Sequence, residues 1–358
     1  MKKQLLLSFL TVMLSLSFCH AQFVNTPRPS PKAAVAEWIG LSKIAIHYSR
    51  PGVKDRTVFG ENGIVTYNEG IPFPWRAGAN ENTTMYFEHD VKINGQDLAA
   101  GKYGFHIIPA EKEWTLIFST NHHAWGSYNY DQSEDALRVK VQPKEGKHVE
   151  WLRYQFVNQQ ANSADIELAW STKRIQFTVA VDNHAVTARS IEQEIDGLLG
   201  FTWQGSNSAA QYFLGAGKDF EKGLKYAQRA TNPQLGGQRN FSTLSTQSQL
   251  LSAMGKADEA KTIMDEAIGL GTMTELHFYG RSLIQAGQAK DAMAIFELNR
   301  KNNPHDNFTT YVGLARGNMA LENYGKAASY FRKAAPNAPQ GQQQAYEDLA
   351  KQCDEKVK

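Results

Sequence analysis

Residues 276–304, "LHFYGRSLIQAGQAKDAMAIFELNRKNNP", and residues 311–339, "YVGLARGNMALENYGKAASYFRKAAPNAP", follow one pattern. Leu276 aligns with Tyr311, Gly280 with Ala315, Ala292 with Ala327, Phe296 with Phe331 and Pro304 with Pro339, at a constant offset of 35 residues. An earlier unit, "LSTQSQLLSAMGKADEAKTIMDEAI", keeps Ser248, Leu251, Gly255, Ala260, Met264 and Ala267 in the same order. A weaker first copy, "NSAAQYFLGAGKDFEKGLKYAQRATNP", supplies Leu214, Phe220, Gly223, Ala227 and Ala230. Self-similarity at this period marks a stack of helical hairpins, because one hairpin cannot bury its apolar side alone.

These units resemble tetratricopeptide repeats, in which small residues let the two helices of a hairpin approach closely. About four units occupy residues 202–340, and residues 341–358 read as a helix that caps the last hairpin. In such repeats the first helix of each pair lines a concave groove. By this register Gln249, His277, Arg281, Val312 and Arg316 point into it. Arg281 and Arg316 hold equivalent positions of adjacent repeats, so two guanidinium groups stand ready for a carboxylate of a partner chain. Solvated arginines on an exposed face are the plainer reading of the same pair.

Upstream of about Asp182 the period is two, as in Tyr103, Phe105, Ile107; Trp114, Leu116, Phe118; and Ile175, Phe177, Val179, Val181. Such runs, separated by turn signals such as Asn94-Gly95, predict eight to ten antiparallel strands in a β-sandwich. The chain thus divides into a signal peptide (residues 1–21), an all-β domain (22–185), a linker (186–201) and the all-α repeats. The segments "RPSPKA", "IHYSRPGVKDRTVFG", "WRAGANENTTMYF", "AGKYGFHIIPAEKEWTLIFS", "WGSYNYDQSEDALRVKVQP" and "EWLRYQF" occur in an order that resembles the domain of unknown function family 2911, found in exported bacterial proteins. The resemblance covers roughly Pro27 to Asp182. It implies no activity, and it implies C-terminal tetratricopeptide-like repeats as a companion.

Met1-Lys2-Lys3, an apolar run from Leu5 to Phe18 and the cleavage signal Cys19-His20-Ala21 read as an export signal cut after Ala21. The run is shorter than the about 20 residues of a bilayer span. Phe18 before Cys19 disfavours a lipid anchor. Loss of Lys2 and Lys3, with no acid lost, takes the formal net charge from +2 to zero. A neutral chain without a basic block lacks the footprint of a nucleic-acid binder. Cys353 then stands alone, so no internal disulfide is available and burial must hold the fold.

No Gly-x-Ser-x-Gly elbow and no His-Glu-x-x-His occur. "GAGKD" (residues 215–219) lacks the Ser or Thr of a phosphate loop and reads as a connection between helices. His122 and His123 are expected to diverge, so no metal and no cofactor is expected. The polar residues gather in loops: Arg50 and Arg56 flank Pro51-Gly52, and Arg76, Asn80 and Glu81 surround Gly78. With His106, beside a gap left by Gly104, they are expected to form a site for an anionic or sugar-like ligand at one end of the sandwich, or else to tie the loops together. Trp125, Tyr128 and Tyr130 form an aromatic loop that either stacks on a ligand or caps the sandwich. Two functions fit: a noncatalytic binding protein whose repeats hold a protein partner, or a hydrolase using Glu81 and His106 as acid and base.

Overall fold

The structure is a computed structural model, described for residues 26–357. The expected signal peptide, its cleavage point after Ala21 and Cys19 lie outside the described residues. Two compact units meet between Thr187 and Ala188. The segment 186–201, expected as a linker, is instead helical: α1 (Asn183–Asp196) runs through most of it, followed by a 3-10 turn at Leu198–Phe201.

The first unit contains two antiparallel sheets. One has the order β1 (Lys32–Ile39), β2 (Ser42–Ser49), β3 (Thr83–Phe87), β6 (Gly101–Ile108), β7 (Trp114–Ser119), β8 (Asp135–Val141). The other runs β5 (Gln96–Leu98), β4 (Val91–Ile93), β10 (Ser163–Ala180), β9 (Lys144–Val157). Positive φ at Asn94 (47°) and Gly95 (85°) is what a two-residue hairpin between β4 and β5 requires. The inner faces interlock through aromatic rings. Phe105 and Phe118 lie 5.8 and 5.9 Å from Phe177 across the sandwich, and Tyr48 meets Tyr154 at 4.8 Å.

Alternation fails in the middle of β6, where Gly104 and His106 on the outer face are buried as deeply as the inner residues. The reason is the chain after β7, which folds back over that face. A Cβ on Gly104 would sit 2.3 Å from the Asn121 carbonyl oxygen and 2.6 Å from Nδ2 of Asn82. The expected gap beside His106 is therefore filled.

In the second unit the hairpins are α2 (Trp203–Ala216) with α3 (Phe220–Thr231), α4 (Phe241–Ala253) with α5 (Ala257–Leu270), α6 (Met273–Gln285) with α7 (Ala289–Asn302), and α8 (Thr309–Ala320) with α9 (Tyr324–Ala334). Residues 215–219 do connect two helices, with Gly217 in the left-handed conformation that ends α2. At α6, Thr272 and Glu275 form a capping box that pairs the first free amides. Glycines then allow close helix approach. The buried Phe296 ring of α7 fits among Gly280, Gly313 and Gly317. The last helix, α10 (Gln343–Val357), covers Phe331 with Ala350 and Cys353.

Gly280→Ala is expected to destabilise the chain by about 1–3 kcal/mol despite alanine's better helix propensity, because the new Cβ would lie 2.5 Å from the Phe296 ring. Gly269→Ala, with open space around the new methyl, should instead stabilise it by up to about 1 kcal/mol. Urea unfolding midpoints of the two variants check this, and a stabilising Gly280→Ala would contradict the packing.

Candidate functional site

The loops singled out by sequence converge on the segment 28–32. The Arg50 amide donates to the Pro31 carbonyl (2.8 Å), and Nδ2 of Asn80 donates to that of Ser30 (3.3 Å). Glu81 receives Arg28 through both carboxylate oxygens (2.8 and 3.0 Å) and Lys32 at 3.2 Å. The three arginines are held by backbone carbonyls. Arg50 donates to Leu152 (3.0 Å), Arg56 to Val53 and Gly52 (3.0 and 2.7 Å), and Arg76 to Asn80 (2.7 Å). Arg76 also lies 4.9 Å from the centre of the Tyr128 ring. Gly126 beneath it has φ of 70°, and a Cβ there would come within 2.4 Å of the guanidinium.

Arg56, Arg76 and Asn80 line a cavity of about 390 Å³ together with Asn68, Phe73, Trp75 and Trp170. Glu81 lines a different one, of about 350 Å³, with Lys32, Lys102, His47, His122 and His123. Arg50 and His106 line neither. The chain bends at His123, and the two histidines do not diverge: their ring centroids are 3.9 Å apart. Among the described residues no group of three or more His, Cys, Asp or Glu is placed to hold a metal ion.

Partial burial raises the pKa of Glu81, but hydrogen bonds from Arg28, its own backbone and Lys32 outweigh it and hold the carboxyl at about 2. His106 is pushed down to about 4, by burial first and by the charge of Arg76 second. Its Nδ1 lies 2.7 Å from Oγ of Ser127, itself buried. Beside it the Tyr130 hydroxyl donates to Asp135 (2.6 Å) and accepts from Arg138 (2.5 Å). Burial and then Asp135 raise Tyr130 to about 12, against the opposing pull of Arg138. The aromatic loop thus covers the outer face of β6, with Tyr130 tied down and Trp125 and Tyr128 exposed.

Residues 30–179 match the family described as protein of unknown function (DUF2911). No curated protein and no solved structure matches the chain. The match brings no activity with it, and the chemistry of this unit rests on the residues above. Sequence reasoning missed Trp75 and Trp170 as cavity residues. Trp75 stood next to Arg76 in a quoted loop segment, and Trp170 was hidden in an alternating run that reads as core.

On the helical unit the 35-residue offset extends to two rows of polar positions, Asn207–Ser242–His277–Val312 and Gln211–Thr246–Arg281–Arg316. In the first two repeats the rows pair, Asn207 to Ser242 (3.3 Å) and Gln211 to Thr246 (3.5 Å). In the last two they do not. Nδ1 of His277 and Nε of Arg316 are buried without a hydrogen-bond partner. Burial and then Arg281 lower the pKa of Arg316, and His277 falls to about 4 through burial, Arg281 and Arg316. Gln249 is exposed and Arg281 half-buried, whereas Val312, expected in the groove, is packed inside.

A neutral buried His106 sets a pH dependence. Its folded pKa lies below the unfolded value of 6.5, so its contribution is complete above pH 6.5 and is lost as pH falls to about 4. His106→Asn is expected to remove on the order of 3 kcal/mol of that loss. Chemical unfolding of the whole chain at pH 7 and pH 4 checks it. An equally steep decline in wild type and variant would show that His106 is not the group responsible.

Proposed function

We propose that the chain is an exported, noncatalytic binding protein in which the DUF2911 domain recognises a small anionic or sugar-like ligand and the helical repeats hold a protein partner. The observation that carries the second half is the contrast along the repeat rows. Two repeats satisfy their polar groups mutually, and the next two leave Arg281 and Arg316 within reach of one another's charge, with no ion pair to either among the described residues. An unpaired, partly buried charge is destabilising by itself, so its presence here supports a role in receiving an acidic segment of a partner. The helical hairpins and their likeness to tetratricopeptide repeats support the same reading. So does the state of the two acid–base candidates: Glu81 is already neutralised by two cations, and His106 is buried behind Ser127. The basic start and apolar run of residues 1–21 support export, and among the described residues no helix is long and apolar enough to cross a membrane.

Binding of a fluorescein-labelled, aspartate-rich peptide tests the repeat site. Arg281→Ala with Arg316→Ala should weaken it by more than tenfold, about 1.4 kcal/mol, and equal affinity would remove the arginines from this reading. Arg316→Met keeps the bulk of the side chain and removes its charge. The melting temperature of that variant should rise, whereas a fall would mean that the arginine serves the fold.

A further inference from the structure

The cavity of the DUF2911 domain has a lining whose chemistry narrows its ligand. It brings together two guanidinium groups, Arg56 and Arg76, two amides, Asn68 and Asn80, and the rings of Phe73, Trp75 and Trp170, with no aspartate or glutamate among its lining residues. Deepening the reading of this domain as a recognition domain, we propose that the cavity binds a small ring carrying a carboxylate, the ring against the aromatic wall and the carboxylate on Arg56 and Arg76.

The charge argument starts from what the arginines lack. Their hydrogen-bond acceptors are the carbonyls of Gly52, Val53 and Asn80, which fix the guanidinium groups in place and leave their charge uncancelled. Neither Arg56 nor Arg76 makes an ion pair among the described residues, and the acid between their loops and the segment 28–32, Glu81, is engaged by Arg28 and Lys32. Anchored in this way, with Arg76 also lying over the Tyr128 ring and against Gly126, the two forks are oriented before any ligand arrives. Little conformational freedom then remains to be lost on binding.

The planar fork of arginine matches a carboxylate through paired hydrogen bonds. Lysine is absent from the lining, and so is a helix N-terminus, the usual means of cradling phosphate. The wall is equally prepared. Trp75 donates from Nε1 to the Gly78 carbonyl (3.2 Å) and stacks on Trp170 at 5.9 Å and 20°, so the indole is a fixed surface for an apolar or sugar ring. A volume of about 390 Å³ stands near the lower end of the range of about 300–1,000 Å³ for small-molecule sites, as suits one or two rings.

The test uses the whole chain and four probes, glucuronate, benzoate, glucose and inorganic phosphate, with binding followed by calorimetry and tryptophan fluorescence at millimolar concentration. Glucuronate or benzoate should bind, and the one that does identifies an acidic sugar or an aromatic acid. Arg76→Gln should weaken it at least tenfold with an unchanged melting temperature, and Gly126→Ala, which displaces the guanidinium, should weaken it too while lowering the melting temperature, because alanine is strained at a φ of 70°. Binding should also raise the pH at which the His106 ring resonances titrate, because the ligand offsets the charge of Arg76 on His106. Glucose binding as tightly as glucuronate would overturn the carboxylate, phosphate binding as tightly as either acid would overturn the ring, and no binding of either acid would overturn the site. Capture of the acidic peptide by the repeats, unaffected by Arg76→Gln, separates these failures from failure of the repeat reading.

Discussion

The contact of Phe177 with Phe105 and Phe118 joins the two sheets of the first unit, and the candidate site depends on it. With no disulfide available to the described residues, where Cys353 is the free cysteine, the two sheets depend on buried side chains to stay packed face to face. Aromatic rings suit this task because each buries a large area and its preferred tilted contacts resist sliding. Loops that leave such strands can be irregular without being loose. The segment 28–32 then pins them from outside, through backbone bonds to Arg50 and Asn80 and through the Arg28–Glu81 pair.

Charge is divided unevenly at that end of the sandwich. Glu81 attracts the two cations of the pinning segment, which are exposed and of modest value to stability. The arginines of the longer loops are left with neutral acceptors. A carbonyl can orient a guanidinium as firmly as a carboxylate does, yet it leaves the field of the charge in the surroundings. The depressed pKa of His106 is one consequence, since that ring is buried and feels Arg76.

The helical unit shows the same separation of orientation from neutralisation. Stacking identical hairpins places equivalent positions opposite one another, so a residue type repeated at 35-residue intervals meets its own kind. Amides and hydroxyls tolerate this, because each can both donate and accept, as in Asn207 with Ser242 and Gln211 with Thr246. Guanidinium groups cannot, and Arg281 and Arg316 repel. Small residues set the geometry in which this happens: Phe296 enters the space left by Gly280, Gly313 and Gly317 and fixes how closely the third and fourth hairpins approach.

The sequence by itself determined the two periods, and with them the β-sandwich and the helical hairpins, because a pleated strand and a helix each impose one spacing on the residues they bury. It determined the equivalence of Arg281 and Arg316, which is a matter of counting. It also grouped the loop residues Arg50, Arg56, Arg76, Asn80 and Glu81 with His106, of which Arg56, Arg76 and Asn80 share a cavity. Tertiary structure decided the rest. Whether residues 186–201 were linker or helix depended on packing partners that no local pattern names. Glu81 and His106 were parted into different surroundings, and Gly104 was filled rather than vacant, because the chain after β7 folds back over a sheet face that alternation assigns to solvent. Trp170 is core, as alternation says, and it borders the cavity only because the loop carrying Phe59 and Trp75 packs its rings against it there.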